Sequence, residues 1–253
     1  MIQTGKVAIV TGGTSGIGAA CAEKLLSEGY DVTIVGRDRI KAEAVVARLR
    51  GTGPISATVG DVSNSSTAQD VIAGVLESRG RVDALVNSAG IMHRGRAEDT
   101  TDDAWHESLA ANVSGTFFMC RAAIPAMRTG GGGAIVNIAS DWGLVGGAGH
   151  VAYCATKGAV VNMTRALALD HAGERIRINV LCPGEVRTPM LAEGLRHAGV
   201  PADEAIAALG RTIPIGRVSE PFEQASAVAF LLSDAASFIT GAVLSADGGS
   251  TTR

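Results

Sequence analysis

Strand-like and helix-like segments alternate along this chain from end to end, and that alternation restricts its fold more than any other feature. Short apolar, β-branched runs occur at Lys6 to Val10, Asp31 to Val35, Ile55 to Val59, Val82 to Val86, Ala134 to Ile138, Arg175 to Val180 and Ala242 to Ser245. Between them, segments such as Gly18 to Glu28, Ile40 to Arg50, Thr67 to Arg79 and Val113 to Met127 repeat apolar residues at helical spacing. The runs are mostly apolar on both faces, so each strand needs cover above and below, which is the property of a parallel sheet with crossover helices. The expected fold is α/β: a Rossmann-type doubly wound parallel sheet of about seven strands in one domain, 1–253, a size at which single α/β domains are ordinary. Ligands of such sheets bind beyond the carboxyl ends of the strands, so the residues just after each run are the candidates for function.

The longest stretch without a strand runs from Val186 to Pro221 and carries mixed helix signals at Met190 to Ala198 and Ala202 to Leu209. Loops this long in a compact domain are usually lids or binding loops, so 186–221 is expected to cover the substrate. A net charge of -3 leaves no basic stripe for a phosphate backbone, which argues against nucleic acid. No apolar run approaches the roughly 20 residues of a membrane helix, and Met1 to Lys6 shows no signal-peptide pattern, so a cytoplasmic protein with a small-molecule partner is expected. Cys21, Cys120, Cys154 and Cys182 lie far apart, with no CxxC pair and no histidine cluster; they read as small apolar fillers, and no metal site is expected.

After the first run comes Thr11-Gly12-Gly13-Thr14-Ser15-Gly16-Ile17-Gly18, opening a helix. Glycine lets the main chain approach a pyrophosphate, and the helix start offers free N–H groups and partial positive charge. A strand-to-helix turn with no ligand is the plainer alternative for a glycine motif standing alone. Tyr153 and Lys157 are four apart at the start of a helical stretch, so both project from one face. A phenol of pKa about 10 is a poor base at neutral pH, and a neighbouring ammonium is expected to favour the phenolate. An isolated pair of this kind is more often a packed Tyr and a surface Lys. Ser140 ends the Ile135 to Ala139 run, where its hydroxyl can donate to a reacting oxygen. A serine nucleophile would call for a Gly-x-Ser-x-Gly elbow, which is absent.

Together the Thr-Gly-x3-Gly-x-Gly turn, Asn87-Ser88-Ala89-Gly90, Ser140, Tyr153-x3-Lys157 and Pro183-Gly184 resemble the motif set of the short-chain dehydrogenase/reductase family. The likeness spans nearly the whole chain and extends to Pro221, Phe238-Ile239-Thr240-Gly241 and Asp247-Gly248-Gly249. Ser88 departs from it, standing where the family often has a second Asn. The resemblance implies an NAD(P)-dependent oxidoreductase that moves a hydride between a nicotinamide cofactor and a ketone or secondary alcohol. In it Asn112, Ser140, Tyr153 and Lys157 form the catalytic tetrad, with Tyr153 as general acid/base and Asn112 holding a water that links Lys157 to solvent. Cofactor contacts are implied at Gly12, Thr14, Ser15, Gly16, Ile17 and Gly18 in the turn, and at Asp61 and Val62 for adenine, where a helix-capping Asp is an equal alternative. Asn87, Ala89 and Gly90 are implied along ribose and pyrophosphate, Tyr153 and Lys157 beside the reacting ring, and Pro183, Gly184, Val186 and Thr188 around the nicotinamide. A homotetramer is implied as well.

Coenzyme choice turns on Val35-Gly36-Arg37-Asp38. Gly36 stands where NAD-preferring relatives usually carry Asp, and Arg37 could pair with a 2'-phosphate, so NADP(H) is favoured with NAD(H) as the alternative. Against this, Asp38 could cap the next helix and Arg37 could stack on adenine. Trp142, His150, His93, Arg94, Glu185 and Arg187 follow motifs that border the pocket, yet each reads more readily as a surface or packing residue. A non-catalytic NAD(P)-binding sensor on the same fold is the competing function; the complete set of four catalytic-type residues argues against it. An epimerase of the longer-chain branch is disfavoured by the short chain and the glycine spacing.

Overall fold

The computed structural model describes residues 5–196 and 201–252. Met1 to Thr4 of the amino-terminal reading, the 197–198 end of the Met190 to Ala198 signal and Arg253 lie outside the described residues. Strands β1 (Val7–Thr11), β2 (Asp31–Gly36), β3 (Ile55–Val59), β4 (Ala84–Asn87), β5 (Gly133–Ile138), β6 (Ile176–Pro183) and β7 (Val243–Ala246) form one sheet in the order β3-β2-β1-β4-β5-β6-β7. Every pairing is parallel. The helices are α1 (Gly16–Ser27), α2 (Arg39–Leu49), α3 (Ser65–Arg79), α4 (Asp102–Ser108), α5 (Gly115–Thr129), α6 (Val151–His171), α7 (Pro189–Leu195), α8 (Ala202–Gly210) and α9 (Pro221–Leu232).

The period of two within each strand divides the core into two layers. Val10, Ile34, Val86 and Val136 pack with Leu25 of α1, Leu49 of α2 and Val228 of α9. Their neighbours Ile9, Val35, Leu85 and Ile135 pack on the other face with Val71 of α3 and Met119 of α5. This accounts for the continuous apolar runs, since a strand covered on both sides has no polar face.

The expected strand ends shift for local reasons. Arg175, expected to begin a strand, has φ 59° and turns the chain instead, so β6 starts at Ile176. It then runs past Val180 to Pro183 because β7 pairs with it as far as Pro183–Ala246. The helix expected from Val113 begins much earlier. Thr101 caps α4, its Oγ1 accepting from the Ala104 N–H at 3.2 Å, and the chain passes through a π-helical turn, Leu109–Ser114, into α5. Helix α9, unmarked in the expectation, starts on Pro221 with a capping box between Glu220 and Glu223.

Where the strand order reverses, between β1 and β4, two exit loops touch. The Thr11 hydroxyl accepts from the N–H groups of Ser88 and Ala89, both at 3.1 Å. Gly12 has φ 66°, and a Cβ there would lie 2.8 Å from the Ser88 carbonyl, so only glycine fits. Helices α7 and α8 belong to a segment whose two ends meet: the Arg187 N–H donates to the Ser219 carbonyl at 2.8 Å and the Ser219 N–H to that of Glu185 at 3.0 Å. Leu191, Ile206, Ile213 and Val218 form a separate buried cluster inside it. At about 1.5–3 kcal/mol per fully buried aliphatic side chain, that cluster holds the segment together.

Candidate active site

The loops that follow the strands enclose a cleft of about 730 Å³. Its outer wall is built by Gly12, Thr14, Ser15, Gly16 and Ile17 between β1 and α1. Ser15 makes no side-chain bond to the first turn of α1, so the N–H groups that a helix leaves unpaired at its amino end lie at this wall. They fit a pyrophosphate. Gly18, the third residue of α1, does not line the cleft. Arg37, after β2, and Asp61 with Val62, after β3, continue the wall. Asp61 does not cap α3, whose N-cap is Asn64; its Oδ1 accepts from the Ser63 N–H at 2.9 Å instead. Burial raises the Asp61 pKa, but the bonds from Ser63 and the charge of Arg37, 3.8 Å away, outweigh it and hold the carboxyl below its usual range.

Lys41 also lines this wall, and no motif in the sequence points to it. Asp38 caps α2, accepting from the Lys41 N–H at 3.1 Å. The signal that could have found Lys41 is its spacing from Arg37 across a capped helix start.

After β4, Ser88, Ala89 and Gly90 line the cleft, and Asn87 does not. The Asn87 side chain turns into the sheet, where Nδ2 donates to Asn137 Oδ1 at 2.9 Å. Asn87 therefore stands away from the ribose and pyrophosphate path implied for it, and Thr11 bonds the main chain of Ser88 and Ala89 there. Asn112 sits behind the lining on the π-helical turn, with its side chain clamped to Ile91. Oδ1 accepts from the Ile91 N–H at 2.8 Å, and Nδ2 donates to the Ile91 carbonyl at 2.9 Å and to Thr156 Oγ1 at 3.0 Å. Gly90 lies close over this pair of elements, since a Cβ on it would be 3.0 Å from Asn112 Oδ1 and 3.5 Å from Lys157 Nζ.

Ser140, Tyr153 and Lys157 converge at the inner end and are all buried. Lys157 Nζ donates to the Ile138 carbonyl at 2.9 Å and stands 5.5 Å from the centre of the Tyr153 ring. Burial pulls its pKa down to about 8. The expected lowering of the Tyr153 pKa by the ammonium is not what the structure gives. Burial drives the phenol upward, the Asp141, Glu185 and Cys154 charges add to the rise, and the hydrogen bond with Ser140 is what pulls the other way. Pro183, Gly184, Val186 and Thr188 border the same end.

Of the substrate-side residues, Trp142, Arg94 and Glu185 line the cleft, and His93, His150 and Arg187 do not. His150 stacks on Trp142 with ring centres 4.3 Å apart, and Arg187 pairs with Glu220 and Asp203. Arg94 Nη1 donates to the Gly194 carbonyl of α7 at 2.7 Å. Glu185 is raised by burial and by the Asp141 carboxylate, with Arg94 opposing. No group of three or more metal-ligating side chains occurs among the described residues, and no helix among them is long and apolar enough to cross a membrane.

A family model described as enoyl-(acyl carrier protein) reductase matches residues 12–251. The chain is 41% identical over 250 residues to D-threitol dehydrogenase of Mycolicibacterium smegmatis, covering 98% of this chain and 94% of the relative. It is 39% identical over 247 residues to 2-(S)-hydroxypropyl-CoM dehydrogenase 3 of Xanthobacter autotrophicus, covering 97% of this chain and 96% of the relative. Among solved structures, a variant of actinorhodin polyketide ketoreductase with NADPH superposes with a TM-score of 0.95 at 34% identity, covering 98% of each chain. With the parallel seven-stranded sheet and the cleft at its switch point, these matches make the chain an enzyme of the short-chain dehydrogenase/reductase family.

Proposed function

We propose that the chain is an NAD(P)-dependent oxidoreductase acting between a ketone and a secondary alcohol, with Tyr153 as general acid/base. The observation that carries this reading is the convergence of buried Ser140, Tyr153 and Lys157 at the inner end of a cleft whose outer end is a glycine turn and a helix start. The printed names of the relatives, dehydrogenases of D-threitol and of 2-(S)-hydroxypropyl-CoM, support an alcohol as substrate.

When bound, the nicotinamide cofactor supplies the hydride for reduction or takes it up in oxidation. Gly12, Thr14, Ser15, Gly16 and Ile17 hold its pyrophosphate, Asp61 and Val62 its adenine end, and Ala89 and Gly90 its ribose. Pro183, Gly184, Val186 and Thr188 orient the reacting ring. Burial keeps the Tyr153 phenol protonated, which is the form that donates to a carbonyl oxygen. Ser140 donates to the same oxygen as charge develops on it. Lys157 relays a proton to Tyr153, with a water near Asn112 linking Lys157 to solvent, and the Asn112 bonds to Ile91 and Thr156 keep the loop after β4 against α6. Arg37 and Lys41 together favour NADP(H), because two cations at one wall suit a 2'-phosphate. Segment 186–221 covers the substrate end, where Asp141 and Glu185 favour a neutral hydroxylated molecule over an anion. The assembly is a homotetramer in the cytoplasm, which light scattering and cell fractionation test directly.

The function is tested by following the reduced-nicotinamide absorbance with NADPH and a panel of neutral ketones, and in reverse with secondary alcohols and diols. Turnover that disappears in Tyr153→Phe supports the reading. Tight coenzyme binding with inertness toward every substrate replaces it with the sensor.

A further inference from the structure

The residue after Ser140 is an aspartate that belongs to none of the motifs quoted above, and it lines the cleft. Ser140 Oγ donates to Asp141 Oδ1 at 2.9 Å. The Trp142 N–H donates to the same Asp141 Oδ1 at 2.8 Å and to Ser140 Oγ at 3.2 Å. A hydroxyl has one proton and two acceptor positions. Here the proton is committed to Asp141 and one acceptor position to Trp142, which leaves a single acceptor position for Tyr153 or the substrate.

We propose that Asp141 is a positioning residue for the reaction, fixing the rotamer of Ser140 and deciding which way its hydroxyl proton points. This rests on the role given to Ser140 above. With Asp141 ionised, the Ser140 proton is held on Asp141 and turned away from Tyr153 and the reacting oxygen. With a proton taken from solvent, Asp141 donates to Ser140 Oγ, and the serine proton is released toward the reacting oxygen. No bond other than O–H is made or broken, and nothing is oxidised or reduced.

The surroundings shift Asp141 toward its protonated form. Burial raises the Asp141 pKa, the bonds from Ser140 and the Trp142 N–H oppose it, and Asp247 beyond β7 adds to the rise. Glu185 beyond β6 carries like charge and is raised by Asp141 in turn, while Arg94 from the loop after β4 faces Glu185. On α6, Tyr153 stays protonated and Lys157 points its ammonium at the Ile138 carbonyl. Arg94, the cation that acts on Glu185, is itself bonded to the Gly194 carbonyl.

The test is a double-mutant cycle with carbonyl reduction as readout. Asp141→Ala in the wild-type background is expected to lower kcat about tenfold with KM within about twofold, since the loss is that of one orienting hydrogen bond. In a Ser140→Ala background it is expected to have no further effect. Asp141→Asn retains an acceptor for Ser140 and the Trp142 N–H; its kcat is expected within about threefold of wild type, but without the rise toward low pH that a titrating Asp141 adds. Coenzyme binding followed by fluorescence shows that each variant is folded. An equal loss from Asp141→Ala with and without the Ser140 hydroxyl overturns the proposal, as does an unchanged kcat in Asp141→Ala. If Ser140→Ala alone leaves kcat intact, the role of Ser140 falls first and the proposal with it.

Discussion

Lys157 Nζ donates a 2.9 Å hydrogen bond to the carbonyl oxygen of Ile138, the last residue of β5. A buried ammonium is thereby tied to the end of the strand that delivers Ser140. The arrangement disfavours the charged lysine, whose pKa is lowered from 10.5 to about 8 by burial. Between those two values the unfolded chain binds more protons than the folded one, so stability rises with pH across the window; below about 8 the penalty of burying the charge is complete. Lys157→Met is therefore expected to raise stability at pH 7 by roughly 1–2 kcal/mol after the lost hydrogen bond is subtracted, and to flatten the rise above pH 8. Urea unfolding of both proteins at pH 7 and pH 10 checks this. The same variant should lose turnover.

Tyr153→Phe removes the transferable proton and keeps the ring that stands edge-on to Trp142, with ring centres 6.2 Å apart. Its kcat is expected to fall on the order of 10²- to 10⁴-fold with coenzyme affinity nearly unchanged. Steady-state turnover and a fluorescence titration measure the two separately, and a near-normal kcat removes Tyr153 from the chemistry.

Asn112→Ala deletes a buried side chain that makes hydrogen bonds to the Ile91 N–H, the Ile91 carbonyl and Thr156. Leaving those partners unsatisfied is expected to destabilise the fold by about 2–4 kcal/mol. Activity should fall as well, because Ile91 adjoins Gly90 in the cleft wall. A melting temperature equal to wild type contradicts the clamp.

Coenzyme choice is expected to rest on Arg37 and Lys41. Replacing both with Leu should lower kcat/KM for NADPH by about 10- to 100-fold, the equivalent of one or two charge-assisted hydrogen bonds, with little change for NADH. Installing the acidic residue of NAD-preferring relatives is harder, since a Cβ on Gly36 would lie 2.5 Å from Thr14 Cγ2. Gly36→Asp should therefore impair both coenzymes until Thr14 is trimmed to Ala. A wild type that already prefers NADH refutes the phosphate role of the two cations.

The sheet was readable because strands covered on both faces must be apolar throughout, and the glycine turn and the Tyr153–Lys157 spacing because each repeats a local geometry. Strand ends were less so: nothing in the residue type of Arg175 announces a φ of 59°. Helix α4 escaped because only Ser108 of it is buried, so no apolar period marks it. Lys41, Asp141 and the inward turn of Asn87 depend on which loops come together in space, and a reading along the chain carries no such information. The upward shift of the Tyr153 pKa is hidden from the sequence for a related reason, since the depth of burial that decides it is a property of the whole fold.

The segment from Val186 to Ser219 leaves the sheet and returns to it at neighbouring points, and Leu191, Ile206, Ile213 and Val218 within it pack on one another. It is in effect a cassette: its contents can be exchanged through a single narrow doorway while the layers around the sheet stay as they are. Transplanting the part of this stretch beyond Thr188 from a relative with a different alcohol appetite should therefore carry that appetite across, while Val186, Thr188 and the side chains at the strand ends stay in place.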